Sequence, residues 1–102
     1  YVPTDNTAAS NTEAIANVTV PAKTPVIAGE EGICKGCGVA TLSISYYDLG
    51  MTTGKMAAKI LTGEADISTM PIEFTTATPK YNASMCETLG ITPLEGYTAI
   101  AE

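Results

Sequence analysis

Histidine and arginine are both absent from this sequence of 102 residues. Without histidine there is no Ser-His-Asp or Cys-His catalysis and no imidazole ligand for a metal, and without arginine there is no bidentate clamp for phosphate. Positive charge is scarce as well: five lysines stand against eleven acidic residues, a net charge of −6. A nucleic-acid binder needs a cationic face to release phosphate counterions, and this chain cannot build one. No apolar run approaches the ~20 residues of a membrane span, and no charged segment leads into an apolar signal-like stretch. Most hydrolase and transferase chemistry is thereby excluded, and we read the chain as non-enzymatic, with no cofactor, no metal and no nucleic-acid partner.

What is present is a single small domain. Hydrophobic residues make up 45% and charged residues 16%, with six prolines and nine glycines, which is too apolar for disorder and too unbiased for low complexity. At this length folding removes roughly 65% of the unfolded chain's surface from water, and a second domain does not fit. The chain opens at Tyr1-Val2-Pro3 without an initiator methionine, as if a strand were already under way. We therefore expect 1-102 to be a single partial domain of a longer protein.

Along the chain, strand signals alternate with helix signals. Tyr1-Val2 reads as a strand, followed by a helix carrying Ala14, Ile15 and Val18, with either Asp5/Asn6 or a Ser10-to-Glu13 capping box as its start. Pro25-Val26-Ile27-Ala28 is a short apolar run suited to a buried parallel strand. Residues 29–38 hold four of the nine glycines and read as a loop. Val39 to Ile44 predicts a strand, Ser45 to Asp48 the cap of a helix striped by Leu49, Met56, Ala57, Ile60 and Leu61, and Gly63 its stop. Gly50 and Gly54, four apart on that helix, suggest close approach to a neighbouring element. Alternation from Met70 to Thr75 predicts a strand, and Thr78-Pro79 the start of a short helix ending at Gly90. The alternation as a whole predicts an α/β fold with a mainly parallel sheet flanked by helices.

Two glycine motifs fail on inspection. Gly50 to Lys55 has three residues between its glycines where a phosphate-binding loop has four, and Met56 stands where that loop has a hydroxyl. Gly36-Cys37-Gly38 lacks the third glycine of a dinucleotide fingerprint, Thr41 taking its place. Cys34 and Cys37 have the spacing of a redox pair or half a zinc site. They lead into a strand rather than opening a helix, and only Cys86 and carboxylates are on offer as further ligands. A reversible Cys34–Cys37 disulfide remains open, but three cysteines leave one unpaired and disulfides are not the framework.

The polar residues at strand ends carry more weight. In open parallel sheets ligands bind beyond the carboxyl ends of the strands. Here the strand ends read Thr4-Asp5-Asn6, Gly29-Glu30-Glu31 and Ser45-Tyr46-Tyr47-Asp48. Carboxylates, an amide and phenols on one edge suit a ligand with an ammonium group and an apolar or aromatic body. The same residue types also serve as helix caps and solvated turns.

These residues carry a resemblance. The blocks Tyr1 to Thr7, Thr24 to Gly32, Ala40 to Gly50 and Thr53 to Glu64, with Asn82 and Leu89-Gly90-Ile91, resemble the C-terminal part of ABC transporter substrate-binding proteins of the tryptophan/tyrosine type. The resemblance covers nearly the whole chain. It implies a type I periplasmic-binding fold, in which two α/β lobes close over a small solute and hand it to an ABC permease. On that reading the chain is the later part of the C-terminal lobe, and Asp5, Asn6, Glu30, Glu31 and Tyr46 are its ligand-binding candidates. The cysteine pair departs from the family pattern. A lipid-anchored, extracytoplasmic full-length protein binding an amino acid is implied.

Two other readings stand beside it: a sensor domain of the same fold from a repressor or receptor, and a redox protein using Cys34 and Cys37. A lobe separated from its partner exposes what that partner covers, so we also expect this chain to self-associate as a dimer.

Overall fold

In the computed structural model, which describes residues 1–101, the chain divides into two compact units. The first is Tyr1–Ser43 together with the segment from Thr78 onward, and the second is Ile44–Ala77.

The first unit is built on a four-stranded sheet of β1 (Ile27–Ala28), β2 (Ala40–Ser43), β3 (Thr78–Tyr81) and β4 (Thr98–Ala99), in that spatial order. β1 and β2 are parallel, with Ile27 opposite Ala40 and Ala28 opposite Thr41, and β3 and β4 are parallel too. β2 and β3 are antiparallel, and Val2 adds a parallel bridge to Ala28 on the outer edge. The sheet is thus mainly parallel, as expected, with one reversed pair. Helices α1 (Asn6–Ser10), α2 (Thr12–Thr19), α3 (Glu31–Cys37) and α5 (Ala83–Leu89) belong to this unit.

Of the two starts expected for the first helix, the structure uses Asp5, and the Ser10-to-Glu13 capping box does not form. Asp5 caps α1, its Oδ1 accepting from the Ala8 N–H at 2.8 Å. The chain then breaks at Asn11 (φ −132°) and continues as α2, and Ser10 is the last residue of α1 rather than a cap.

The glycine-rich segment is not a loop. Residues 31–37 form α3 because Glu30, in an extended conformation, caps it with both carboxylate oxygens, one on the Gly32 N–H at 2.8 Å and one on the Ile33 N–H. Ile33, Cys34 and Cys37 then fall on one helical face and are buried. Together with Val26 and Ala28 they make the core, against which Val2, Ala8, Ile15, Ala16 and Ile100 pack. Gly36 serves packing: a Cβ there would lie 2.2 Å from Thr12 Oγ1, so α2 approaches α3 only where the side chain is missing. Tertiary contact outweighs the low helix propensity of glycine.

The expected strand at 70–75 is absent, and the strand lies instead at β3, pairing with β2 through Pro79 opposite Leu42. The expected helix accordingly starts later, at Ala83, capped by Asn82. Asn82 is buried and fully used. Its Nδ2 donates to the carbonyls of Cys34 (3.0 Å) and Lys35 (2.9 Å), and its Oδ1 accepts from Met85 N–H (3.1 Å) and Ser84 Oγ (2.9 Å). One amide thus ties the end of α3 to the start of α5, each bond contributing about 1 kcal/mol net. Gly90, at φ +68°, ends α5 in the left-handed conformation that glycine tolerates.

Burial alternates along β2: Thr41 and Ser43 are buried while Leu42 is exposed, as is Ile27 on β1. The second unit centres on α4 (Tyr46–Leu61), capped as expected by Ser45, whose Oγ accepts from the Asp48 N–H at 3.2 Å, with Gly63 at φ +78° beyond its end. No residue of α4 is buried. A Cβ at Gly50 or Gly54 would meet nothing within 4 Å, which corrects the expectation of close approach there. No helix among the described residues is long and apolar enough to cross a membrane.

Candidate functional site at the carboxyl edge of the sheet

Because Val2, β1 and β2 run parallel, their carboxyl ends share one edge of the first unit. The first two ends are drawn together by backbone contact. Val2 N–H donates to Ile27 O (2.9 Å), Gly29 N–H donates to Val2 O (2.8 Å), and Thr4 Oγ1 donates to Gly29 O (3.3 Å). A Cβ on Gly29 would lie 2.8 Å from Thr4 N and 3.0 Å from the Tyr1 hydroxyl, so glycine is required for the Pro3-Thr4 backbone to pass this close. The consequence is that Thr4, next to Asp5, lies against Gly29, next to Glu30.

The four residues are engaged to different degrees. Glu30 has spent both oxygens on capping α3. Asp5 has spent one: only Oδ1 is engaged among the described residues, and the side chain is exposed. Asn6, the first residue of α1, is exposed. Glu31, in the first turn of α3, accepts from Lys80 Nζ through Oε2 at 2.7 Å, with both side chains part-exposed. The fifth candidate, Tyr46, belongs to the second unit, as the first residue of α4, with its ring exposed. The structure therefore gathers Asp5, Asn6, Glu30 and Glu31 on one edge, and Glu30 is a structural cap there.

Lys80 went unread in the sequence, because only the antiparallel register of β3 brings it opposite Thr41 and within reach of Glu31. Thr41 and Ser43 were unread too. Their hydroxyls are buried and, among the described residues, have no hydrogen-bond partner. Polar residues at alternate positions in an otherwise apolar strand were the available signal.

The thiols read differently from a reactive pair. Cys34 and Cys37 on α3 and Cys86 on α5 are all free and buried. Burial, then the neighbouring Cys86 and Cys37 and the carboxylates of Glu31 and Glu30, push the Cys34 thiol up to about 12. Burial raises Cys37 and Cys86 as well. Cys37 Sγ donates to Ile33 O at 3.4 Å and Cys86 Sγ to Val39 O at 3.5 Å. A thiolate nucleophile needs the opposite shift, so the redox reading loses its chemistry.

Hollows lie among other residues. One of about 410 Å³ along α4, lined by Thr52, Lys55, Lys59 and Glu73, belongs to the second unit. One of about 190 Å³ in the first unit is lined mostly by apolar groups, among them Ile27, Tyr81, Leu94 and Tyr97.

Known proteins are similar to this chain in sequence and fold. The family model described as ABC transporter substrate binding protein matches residues 1–102. A tyrosine-binding protein of Clostridioides difficile (strain R20291) is 37% identical over 65 residues, 64% of this chain and 19% of that protein. Among solved structures, the ligand-free, open form of a substrate-binding protein with adhesive properties from Clostridium difficile is 34% identical with a TM-score of 0.75, over 98% of this chain and 35% of that one. An ABC domain from Streptococcus pneumonia in complex with L-Trp is 30% identical with a TM-score of 0.81, over 97% of this chain and 35% of that one. The chain thus spans about a third of those structures.

Proposed function

The chain belongs to the ABC transporter substrate-binding protein family, and on that premise we propose that it supplies part of one lobe of a two-lobe solute-binding protein whose ligand is an aromatic amino acid. The segment corresponds to the later part of the C-terminal lobe. The whole protein works outside the cytoplasmic membrane, lipid-anchored, and delivers its solute to an ABC permease. Binding and release are its action, and no bond in the solute is made or broken. The tyrosine-binding relative and the relative crystallised with L-Trp support this choice of ligand.

The observation that supports the reading is that Asp5 and Asn6 follow the Val2 bridge and Glu31 follows the neighbouring parallel strand β1, with one Asp5 oxygen left over after capping. A carboxylate facing an ammonium at an exposed edge attracts it weakly while solvent screens the pair, and closing a second lobe over it strengthens the contact by excluding water. An apolar or aromatic side chain then supplies buried area.

Calorimetry on the whole protein with L-tyrosine, L-tryptophan and L-leucine tests this. We expect micromolar or tighter binding of an aromatic member. Asp5→Asn, which keeps the shape and an Oδ1 acceptor for the cap, weakens it by about tenfold, the scale of one charge-assisted hydrogen bond. Failure to bind any of the three, or an Asp5→Asn protein that binds as well as the wild type, removes the assignment.

A further inference from the structure

A free amino acid presents two charges, and the edge described so far accounts for one. The carboxylate needs a donor, and where these 102 residues supply it as a cation only a lysine serves, since they hold no arginine and no histidine. The lysines can be taken in turn. Lys23 sits in the turn after α2 with φ +51°. Lys35 donates to the Ala101 carbonyl at 3.2 Å. Lys55 and Lys59 lie on α4 in the second unit. Lys80 alone stands beside a carboxylate of the edge, its Nζ 2.7 Å from Glu31 Oε2.

That pair is neither buried nor free. The side chains of Lys80 and Glu31 are 30% and 38% exposed, open enough for a solute to reach. As a surface ion pair it adds little stability, so a ligand that shares it disturbs the fold little. Glu31 Oε1 has no partner among the described residues. Lys80 lies opposite Thr41 in the β2/β3 register, so the two side chains share one face of the sheet, and Ser43 is next on that face. The hydroxyls of Thr41 and Ser43 are buried and unpartnered among the described residues, although their residues are 1% and 6% exposed.

We infer that Lys80 and Glu31 together read the head group of an α-amino acid: Lys80 Nζ donates to the ligand carboxylate, and Glu31 accepts from its ammonium. This rests on the amino-acid reading given above. Two opposite charges 2.7 Å apart match a zwitterion whose ammonium nitrogen and carboxylate carbon are bonded to the same carbon. A ligand without the carboxylate gives up the Lys80 contact and keeps the rest. Lys80 is on this account the residue that separates amino acids from amines and amides.

The test compares L-tyrosine with L-tyrosinamide, and L-tryptophan with tryptamine, by calorimetry on the whole protein and its variants. The wild type is expected to prefer each acid by about tenfold or more, the scale of one charge-assisted contact. Lys80→Met abolishes that preference by weakening the acids and leaving the amide and amine as they were, whereas Lys80→Arg keeps most of it. Equal loss for acid and amide would mean that Lys80 is only a structural partner of Glu31, and a preference unchanged in Lys80→Met would exclude contact with the carboxylate; either overturns the inference. A wild type that binds neither acid fails earlier, at the amino-acid assignment itself, and the inference falls with it.

Discussion

Replacing Gly36 by alanine sets two physical effects against each other, and the fold decides which wins. In an exposed helix the change gains about 1 kcal/mol, because alanine orders at lower entropic cost than glycine. Here the new Cβ would lie 2.2 Å from Thr12 Oγ1, 2.4 Å from Thr12 Cβ and 2.9 Å from Thr12 Cγ2. Rotating the threonine moves Oγ1 and Cγ2 but not Cβ, and an ordinary carbon contact is ~3.5–4.0 Å. α2 must therefore retreat by about 1 Å. That loosens Ile15 and Ala16, which pack on the Ile33/Cys34/Cys37 core. Overpacking of this kind costs about 1–3 kcal/mol, more than the propensity gain. Urea unfolding followed by far-UV circular dichroism measures the sign. Gly54→Ala, whose Cβ meets nothing within 4 Å, is the matched control and is expected to gain about 0.5–1 kcal/mol. Adding Thr12→Gly should remove most of the Gly36→Ala penalty, a coupling of about 1–3 kcal/mol. A Gly36→Ala protein stabilised as much as Gly54→Ala would refute the close packing of α2 on α3.

The Cys34 thiol makes stability depend on alkaline pH. Its folded value is about 12 against an ordinary 9.0, so folding holds the proton that the unfolded chain releases. The contribution is intact below about pH 9 and is lost as pH rises toward 12, by at most ~4 kcal/mol at 1.36 kcal/mol per unit. Urea midpoints taken between pH 8 and 11 should fall more steeply in the wild type than in Cys34→Ala, and parallel slopes would exclude the thiol as the cause. Separately, the 102-residue chain on its own is expected to associate, because Ile27, Leu42, Ile72 and Phe74 are all exposed. Light scattering across a hundredfold dilution checks this, and a monomer throughout contradicts it.

Where local signal and tertiary demand agree, the sequence was readable. The cap at Ser45, the glycine stop at Gly63, the short apolar strand at Ile27–Ala28 and the mainly parallel sheet all appear as expected. Where they disagree, tertiary demand prevailed. Glycines in residues 29–38 look like loop material, yet Gly29 and Gly36 are there because another backbone or side chain occupies the space of a Cβ. Likewise Ile72 and Phe74 alternate as a strand does, but both are exposed in an irregular segment while the Thr78–Tyr81 strand finds a partner in β2. Alternation describes a face, and a face becomes a strand only when another strand offers it hydrogen bonds.

The acidic residues of the edge raise the same question in a sharper form, because capping and binding draw on one property, a carboxylate oxygen aimed at N–H groups. The two uses compete for oxygens, which makes them countable. Glu30 accepts one bond from α3 at each of its oxygens, which leaves a solute only their second lone pairs. Asp5 gives one to α1 and keeps one, and Glu31 gives one to Lys80 and keeps one. Adjacent residues of identical type, Glu30 and Glu31, thus divide into a cap and a binding candidate solely by their position relative to the first turn of α3. Composition cannot see that division, since both are glutamates at a strand end. The helix that Glu30 caps is packed in turn by α2, which Gly36 admits. The cap at the first turn of α3 therefore decides which of the two carboxylates keeps an oxygen without a partner among the described residues.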